Sequence, residues 1–154
     1  MPNICERGPS RTGAAYGGEL FDIKPRSTPP SETVRVAAIG AGGRAVSNIE
    51  GHAGAGAKIV ALCDVDERRS ADMRKKYAHV PFFKDYRMMI DQLDKEIDAV
   101  MVGTPDHLHA AQAIECLKRG KHVQCEKPLG QSFEDVDRMV AAAKATNLVN
   151  QAMN

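Results

Sequence analysis

Two short stretches of this chain carry reactive side chains directly after apolar, strand-like runs. They are Thr104-Pro105-Asp106-His107 and Glu126-Lys127-Pro128. A lysine at a strand end can share a proton with a hydroxyl group or polarise a carbonyl, and imidazole is a general acid and base. These residues therefore suit proton handling beside a bound small molecule. The structural alternatives are that Lys127 is a surface lysine paired with Glu126 and that His107 only packs.

A third stretch is rich in small residues and begins where another strand-like run ends. The apolar run Val34–Ile39 is followed by Gly40-x-Gly42-x-x-Ala45, which opens a helical pattern. The first glycine allows a tight turn, the second lets a pyrophosphate approach the backbone, and the alanine lets the helix pack on the strand. The first amides of such a helix face an anion. The pattern predicts a dinucleotide site, although glycine-rich turns alone are not specific.

An acid follows the next strand-like run at the spacing that a dinucleotide site requires. The segment Lys58–Cys63 ends at Asp64, roughly 20 residues after the glycines, where the ribose hydroxyls are expected. Asp64 could instead cap the following helix, but Asp66 is better placed to do so. A carboxylate at this position repels a 2′-phosphate, which favours NAD over NADP, while Arg68 and Arg69 soften that preference.

Length and composition exclude several classes of protein. A chain of 154 residues with formal net charge +1 has room for one full domain and has no basic field for nucleic acid or a membrane surface. Tryptophan is absent and the apolar runs are only strand-sized, so neither base stacking nor a membrane span is expected.

The cysteines and histidines do not have the spacing of a metal site. Cys5, Cys63, Cys116 and Cys125 are scattered, which predicts reduced, structural thiols in a cytoplasmic protein rather than a catalytic thiol. His107 and His109 are separated by two positions, which do not share a helix face, so no metal is expected.

Strand and helix patterns alternate after an N-terminal arm. Residues 1–32, rich in Pro and Gly, are predicted to be a flexible arm, and residues 33–154 a dinucleotide-binding domain. Asp66 is expected to cap a helix over about 67–77, and Ser132-x-x-Asp135 to open a later helix. The apolar face of that later helix is expected to hold Phe133, Val136, Val140 and Ala143. The predicted strands are 34–39, 59–63, 81–83, 98–103, 121–125 and 148–153.

Six strands with helical crossovers predict an α/β fold, a doubly wound parallel sheet of the Rossmann type with strand order 3-2-1-4-5-6. In that topology the carboxyl ends of the first, fourth and fifth strands meet at one crevice. The glycine-rich turn and the two reactive stretches would then converge on one cleft.

Four segments resemble the N-terminal domain of the glucose-fructose oxidoreductase / inositol dehydrogenase / MocA (Gfo/Idh/MocA) family. They are AAIGAGGRA at 37–45, ALCDVD at 61–66, VGTPDHLHA at 102–110 and GKHVQCEKPLG at 120–130. The resemblance covers about residues 33–153. The pair TPDHLH and GKHVQCEKP, at this separation, is more diagnostic than the glycine turn.

The resemblance implies an NAD(P)-dependent oxidoreductase of carbohydrate metabolism that transfers hydride between nicotinamide and a sugar-like or polyol substrate. Carried over by position, Gly40, Gly42, Gly43 and Arg44 would line the pyrophosphate, and Asp64 would hold the adenosine ribose. Thr104, Pro105 and His107 would line the nicotinamide side. Glu126 and Lys127 would face the ring and the substrate, with Lys127 as the catalytic residue.

The second α/β domain of that family is missing from this sequence, which has one residue after the sixth predicted strand. We therefore expect a cofactor site in a chain that is inactive as an enzyme by itself. The alternative is a non-catalytic nucleotide-binding or interaction module. A domain that binds coenzyme A or adenosylmethionine is disfavoured by Asp64 together with the Lys127 segment. Whether the protein forms an oligomer is left open.

Overall fold

The computed structural model of the chain describes residues 33–153 and, before them, residues 15–16 and 19–20. Ala15–Tyr16 and Glu19–Leu20 form a short antiparallel pair. The rest of the predicted N-terminal arm, with Cys5, lies outside the described residues. Within the described part of the chain, no helix is long and apolar enough to cross a bilayer.

Six parallel strands form the central sheet. Their order is β3-β2-β1-β4-β5-β6, which confirms the predicted Rossmann order. The central strands are apolar on both faces, as expected of a parallel sheet that is covered on both sides. The strands are β1 (Arg35–Ile39), β2 (Lys58–Cys63), β3 (Phe82–Phe83), β4 (Ala99–Val102), β5 (His122–Cys125) and β6 (Asn150–Ala152).

Helices cover both faces of the sheet because alternate residues of each strand point to opposite sides. In β1, Val36 and Ala38 pack with α1 and α2, whereas Ala37 and Ile39 pack with α3, α4 and α5. The helices are α1 (Ala45–Gly54), α2 (Ala71–Lys76), α3 (Tyr86–Gln92), α4 (His109–Lys118) and α5 (Phe133–Lys144), and Asp94–Glu96 and Asp106–Leu108 are short 3₁₀ turns.

The helix predicted over 67–77 is shorter than expected. The Asp66 carboxylate accepts hydrogen bonds from the backbone N–H groups of Arg68, at 2.9 Å, and Arg69, at 3.2 Å. These bonds close a turn, and the regular helix begins only at Ala71. Asp66 therefore caps as predicted, but it caps a turn that precedes the helix.

Helix α5 begins where the sequence predicts and buries a different face. The Ser132 hydroxyl accepts a hydrogen bond from the Asp135 N–H at 3.1 Å, which confirms the predicted N-cap. Phe133 and Val140 are 93% and 39% exposed, so the expected apolar face is wrong at these two positions. Met139, Ala141 and Ala142 are buried instead. The α5 face that carries these buried residues packs with α4 in the apolar core.

Ion pairs hold the amino ends of the strands together. The Arg35 guanidinium donates to both oxygens of Asp98, at 2.9 and 3.0 Å, and Asp98 is only 3% exposed. Lys121, which is also buried, pairs with the Asp94 carboxylate at 2.8 Å. Arg35 begins β1 and Asp98 precedes β4, so this bidentate pair links the two central strands.

Gly103 lets α1 pack directly on the end of β4. A Cβ atom at Gly103 would lie 2.8 Å from the Cβ of Ala45 and 3.1 Å from the sulfur of Met101. These distances are too short for carbon and sulfur contacts, so the helix and the strand end approach as closely as backbone allows.

Substitutions at two glycines test this packing. Gly103→Ala is expected to lower the free energy of unfolding by about 1–3 kcal/mol, because the added methyl overlaps Ala45. The matched control is Gly51→Ala on the exposed side of α1, where an added Cβ meets nothing within 4 Å. It is expected to raise the free energy of unfolding by up to about 1 kcal/mol through helix propensity. Urea unfolding measures both, and equal effects would contradict the close approach.

Candidate cofactor site

Strand register brings the predicted site residues to one edge of the sheet. Ile39 is opposite both Cys63 and Val102, and Val102 is opposite Cys125. The next residues of the four strands therefore stand level at the carboxyl edge: Gly40, Asp64, Gly103 and Glu126. Strands β2 and β5 are three spacings apart, so Asp64 and Lys127 are separated by roughly 14 Å along this edge.

The glycine-rich turn presents unpaired N–H groups. Gly40 has a φ of +91°, and a Cβ there would lie 2.7 Å from the carbonyl carbon and oxygen of Gly103, so only glycine fits. Within the described residues, the backbone N–H groups of Gly42, Gly43 and Arg44 have no acceptor. They lie at the start of α1, where the helix dipole favours an anion. The turn therefore fits a pyrophosphate.

Asp64 links the glycine-rich turn to the end of β2. One carboxylate oxygen accepts the Ala41 N–H at 2.8 Å, and the other accepts the Asp66 N–H at 2.9 Å. Each oxygen of an ionised carboxylate has a second lone pair, so the half-buried group can still accept a hydrogen bond from a ribose hydroxyl. The structure thus gives Asp64 a positioning role that its sequence position did not reveal.

Arg69 lies against the glycine-rich turn. Its carbonyl oxygen is 2.7 Å from the place a Cβ of Gly42 would take, and its guanidinium is 3.1 Å from that of Gly43. The Arg68 side chain is instead 95% exposed, and its guanidinium lies 3.8 Å from the Asp66 carboxylate. Of the two arginines, only Arg69 stands beside the predicted phosphate loop.

Glu126 is buried beneath α1 and is bonded to that helix. Its carboxylate accepts from the Asn48 amide at 2.7 Å, from the Arg44 guanidinium at 3.3 Å and from the Lys127 N–H at 3.1 Å. The Asn48 bond contributes most to lowering the pKa of Glu126, and burial opposes it. Asn48 was not predicted as a site residue. No local sequence signal marks it, because its partner lies 78 positions away along the chain.

The reactive stretches follow β4 and β5, as expected, and differ in how their side chains are held. The Thr104 hydroxyl donates to the Gln112 side chain at 2.6 Å, whereas the His107 side chain is 56% exposed. Lys127 is exposed, and its ammonium has no bonding partner among the described residues. Lys127 is thus a surface residue whose ammonium is not paired with the Glu126 carboxylate; only its backbone N–H bonds to that group. Pro105 is exposed beside Thr104.

The buried cysteines are poor nucleophiles. Cys63, Cys116 and Cys125 are free and buried. Burial raises the pKa of Cys63 and of Cys125 to about 12, and that of Cys116 is raised as well. A thiol with such a pKa is not the reactive thiolate at neutral pH. Within the described residues, no three His, Cys, Asp or Glu side chains cluster in a way that could hold a metal ion.

A Rossmann sheet with a glycine-rich turn after β1 and an acid after β2 is typical of a dinucleotide-binding domain. The family model described as "Oxidoreductase family, NAD-binding Rossmann fold" (Gfo/Idh/MocA) matches residues 34–153. The chain therefore belongs to the Gfo/Idh/MocA oxidoreductase family, as its sequence motifs predict, and its domain is the NAD-binding one.

Individual relatives agree with this assignment. Inositol 2-dehydrogenase 1 of Saccharopolyspora erythraea is 38% identical over 122 residues, which are 76% of this chain and 36% of the relative. The structure of myo-inositol 2-dehydrogenase from Lactobacillus plantarum matches with a TM-score of 0.70 and 30% identity, over 79% of this chain and 36% of the other. The WlbA dehydrogenase from Bordetella pertussis, solved with NADH and UDP-GlcNAcA, matches with a TM-score of 0.68 and 29% identity, over 79% and 37%. The chain thus spans about a third of the length of these relatives.

The lowered pKa of Glu126 predicts a specific acid sensitivity. A carboxyl whose pKa is lower in the folded than in the unfolded chain stabilises the fold above its ordinary value of 4.5, and this contribution is lost as pH falls through the folded-state pKa. Glu126→Gln is therefore expected to destabilise the protein most at neutral pH, and the difference from wild type is expected to shrink as the pH falls toward 3.

Urea unfolding between pH 7 and pH 3 measures this difference. The control is Asp137→Asn, an exposed residue in the interior of α5, for which only a small difference in the free energy of unfolding is expected. A Glu126→Gln effect that stays constant down to pH 3 would contradict the assigned direction of the pKa shift.

Proposed function

We propose that this chain is the cofactor-binding half of an NAD(P)-dependent oxidoreductase that moves hydride between nicotinamide and a sugar-like or polyol substrate. The observation that carries the proposal is the alignment of Gly40, Asp64 and Glu126 along one sheet edge, with the exposed Lys127 next to Glu126. The relatives support the substrate class, because their names include two inositol dehydrogenases and a dehydrogenase solved with a nucleotide sugar.

The chain offers a separate group for each part of a dinucleotide. The free N–H groups of Gly42, Gly43 and Arg44 would bind the pyrophosphate, with the Arg44 guanidinium beside it. Asp64 would bind the adenosine ribose. Thr104, Pro105 and His107 would line the nicotinamide side. When bound, the nicotinamide ring supplies the hydride chemistry.

The protein's own residues would orient the ring and manage one proton. The exposed, unpaired Lys127 ammonium would donate a hydrogen bond to the reacting oxygen and share its proton with it. Glu126 would position Lys127, because its bonds to Asn48 and to the Lys127 N–H fix the start of the turn that carries Lys127. Turnover would also require a substrate-binding domain of the kind that the longer relatives have room for.

NAD is the preferred cofactor in this proposal, and NADP is the alternative. The Asp64 carboxylate accepts hydrogen bonds and therefore suits a 2′-hydroxyl, while it repels a 2′-phosphate. The guanidinium of Arg69 beside Gly43 opposes that preference by attracting phosphate. The three buried, free thiols support a cytoplasmic location as part of the same proposal.

Titration calorimetry with NAD⁺ and NADP⁺ tests the cofactor assignment. NAD⁺ is expected to bind more tightly than NADP⁺, and Asp64→Ala is expected to weaken NAD⁺ binding by about 1–3 kcal/mol through the lost charged acceptor. The NADP⁺ affinity should fall less, because the same change removes a repulsion. Asp72→Ala, at an exposed position of α2, is the control. Unchanged NAD⁺ affinity in Asp64→Ala would remove this residue from the ribose site, and no binding of either nucleotide would favour the non-catalytic interaction module.

Substitution of Lys127 separates binding from chemistry. Lys127→Met is expected to leave NAD⁺ affinity and the free energy of unfolding nearly unchanged, because the ammonium has no partner in the described part of the chain. In a version of the protein that is joined to a substrate domain and turns over, kcat is expected to fall by roughly 10²-fold or more, the range for a general acid or base. Retained turnover would assign Lys127 a structural role.

A further inference from the structure

A histidine is buried between the turn after β4 and the turn after β5, which carry the proposed nicotinamide-side residues and Lys127. His109 is the first residue of α4 and is 1% exposed. Its Nδ1 lies 2.7 Å from the carbonyl oxygen of Pro128, and its Nε2 lies 2.7 Å from the carbonyl oxygen of Thr104. One imidazole ring thus spans the turn after β4 and the turn after β5.

Both partners of this ring can only accept hydrogen bonds. A carbonyl oxygen has lone pairs and no proton, so each of the two contacts requires an N–H on the ring. A neutral imidazole has one N–H and would place its other nitrogen, with its lone pair, against a carbonyl oxygen. An imidazolium has two N–H groups and satisfies both carbonyls, with bonds that its charge strengthens.

We propose that His109 is a positioning residue that holds the nicotinamide side of the cofactor site together as a doubly protonated ring bonded to Thr104 and Pro128. This inference rests on the proposed function, since those two turns carry Thr104, Pro105 and Lys127 of the proposed site. A ring that has lost one proton keeps only one of the two bonds. One turn is then released, and the spacing between the nicotinamide-side residues and Lys127 is no longer fixed.

Several charged or titratable groups lie on the elements around the ring. Asp106 and His107 precede it, Glu126 and Lys127 lie on the turn after β5, Cys125 ends β5, and Glu134 and Asp135 begin α5. Among the described residues, no carboxylate bonds to the ring. The Asp106 carboxylate accepts from the Gln131 side chain at 3.1 Å and from the His107 N–H at 2.9 Å, and Glu126 is engaged by Asn48. The carbonyl oxygens of Thr104 and Pro128 are thus the groups that bond to the ring.

Ring NMR of the wild-type protein tests the proton count without any cofactor. In uniformly ¹⁵N-labelled protein, long-range ¹H–¹⁵N correlations are expected to show both His109 nitrogens protonated at pH 6, and one proton lost as the pH is raised. The carbonyl ¹³C shifts of Thr104 and Pro128 are expected to move with the same midpoint. A ring that keeps one unprotonated nitrogen down to pH 5 would overturn the proposal.

Cofactor affinity tests the positioning role. The Kd for NAD⁺ of the wild-type protein is expected to rise with pH over the range in which the ring loses its proton. His109→Gln, which offers donors from a single nitrogen, is expected to bind NAD⁺ about tenfold more weakly at pH 6, the factor expected for one lost charged hydrogen bond, and to lack that pH step. The control is His79→Gln, an exposed residue of the turn after α2, which is expected to behave as wild type.

The outcomes separate this inference from the proposed function. His107 is unchanged in all these variants, so any contribution from it cancels in the comparison between wild type and His109→Gln. An identical pH profile in both would overturn the positioning role while NAD⁺ binding itself stands. A doubly protonated ring in a protein that does not bind NAD⁺ would overturn the proposed function and, with it, the role toward the cofactor. If His109→Gln does not fold, the wild-type protein alone decides. A common midpoint for the ring titration and the pH profile of the Kd supports the positioning role, and different midpoints overturn it.

Discussion

The site depends on the absence of side chains at Gly40 and Gly103. The backbones of the turns after β1 and β4 touch there, and any Cβ at Gly40 would lie 2.7 Å from the neighbouring carbonyl group. Gly103 in turn allows Ala45, at the start of α1, to rest on the end of β4. This contact fixes where α1 begins, and therefore where its unpaired N–H groups point. The position of the dinucleotide site is thus set by steric exclusion at these two glycines as well as by polar contacts.

Polar side chains then fix each turn to its neighbour. Asp64 bonds to the Ala41 N–H, Glu126 bonds to Asn48 and Arg44, and His109 bonds to the carbonyls of Thr104 and Pro128. These links run between different strands, so the edge is a connected set of turns rather than four separate ones. Groups already held in place lose less conformational freedom when a ligand binds. Two of the predicted ligand-facing residues, Asp64 and Glu126, therefore also organise the protein.

The sequence was sufficient for the topology and for the edge at which the site lies. Alternating apolar runs and helical patterns indicate a parallel α/β sheet, and the glycine-rich turn after the first strand with the acid after the second indicates the Rossmann strand order. Register then aligns the strand ends. The sequence was not sufficient to predict contacts between elements that are far apart in the chain. The bond from Asn48 to Glu126, the contact of Gly103 with Ala45 and the bonds of His109 to two carbonyl oxygens leave no local pattern. The wrong face of α5 has a related cause, because hydrophobicity alone pointed to Phe133 and Val140, whereas the position of α5 against α4 buries Met139, Ala141 and Ala142.

The placement of the ion pairs has an evolutionary consequence. Arg35 with Asp98, and Lys121 with Asp94, bind the strands at the edge opposite the site. The ion pairs that hold the sheet together are thereby separated in space from the turns proposed to bind the ligand. Substitutions in those turns leave the ion pairs intact. Proteins with this arrangement can acquire new ligand specificities through changes in the turns while the sheet stays folded. Directed evolution of this domain can therefore randomise the turns at the carboxyl edge of the sheet and leave the opposite edge unchanged.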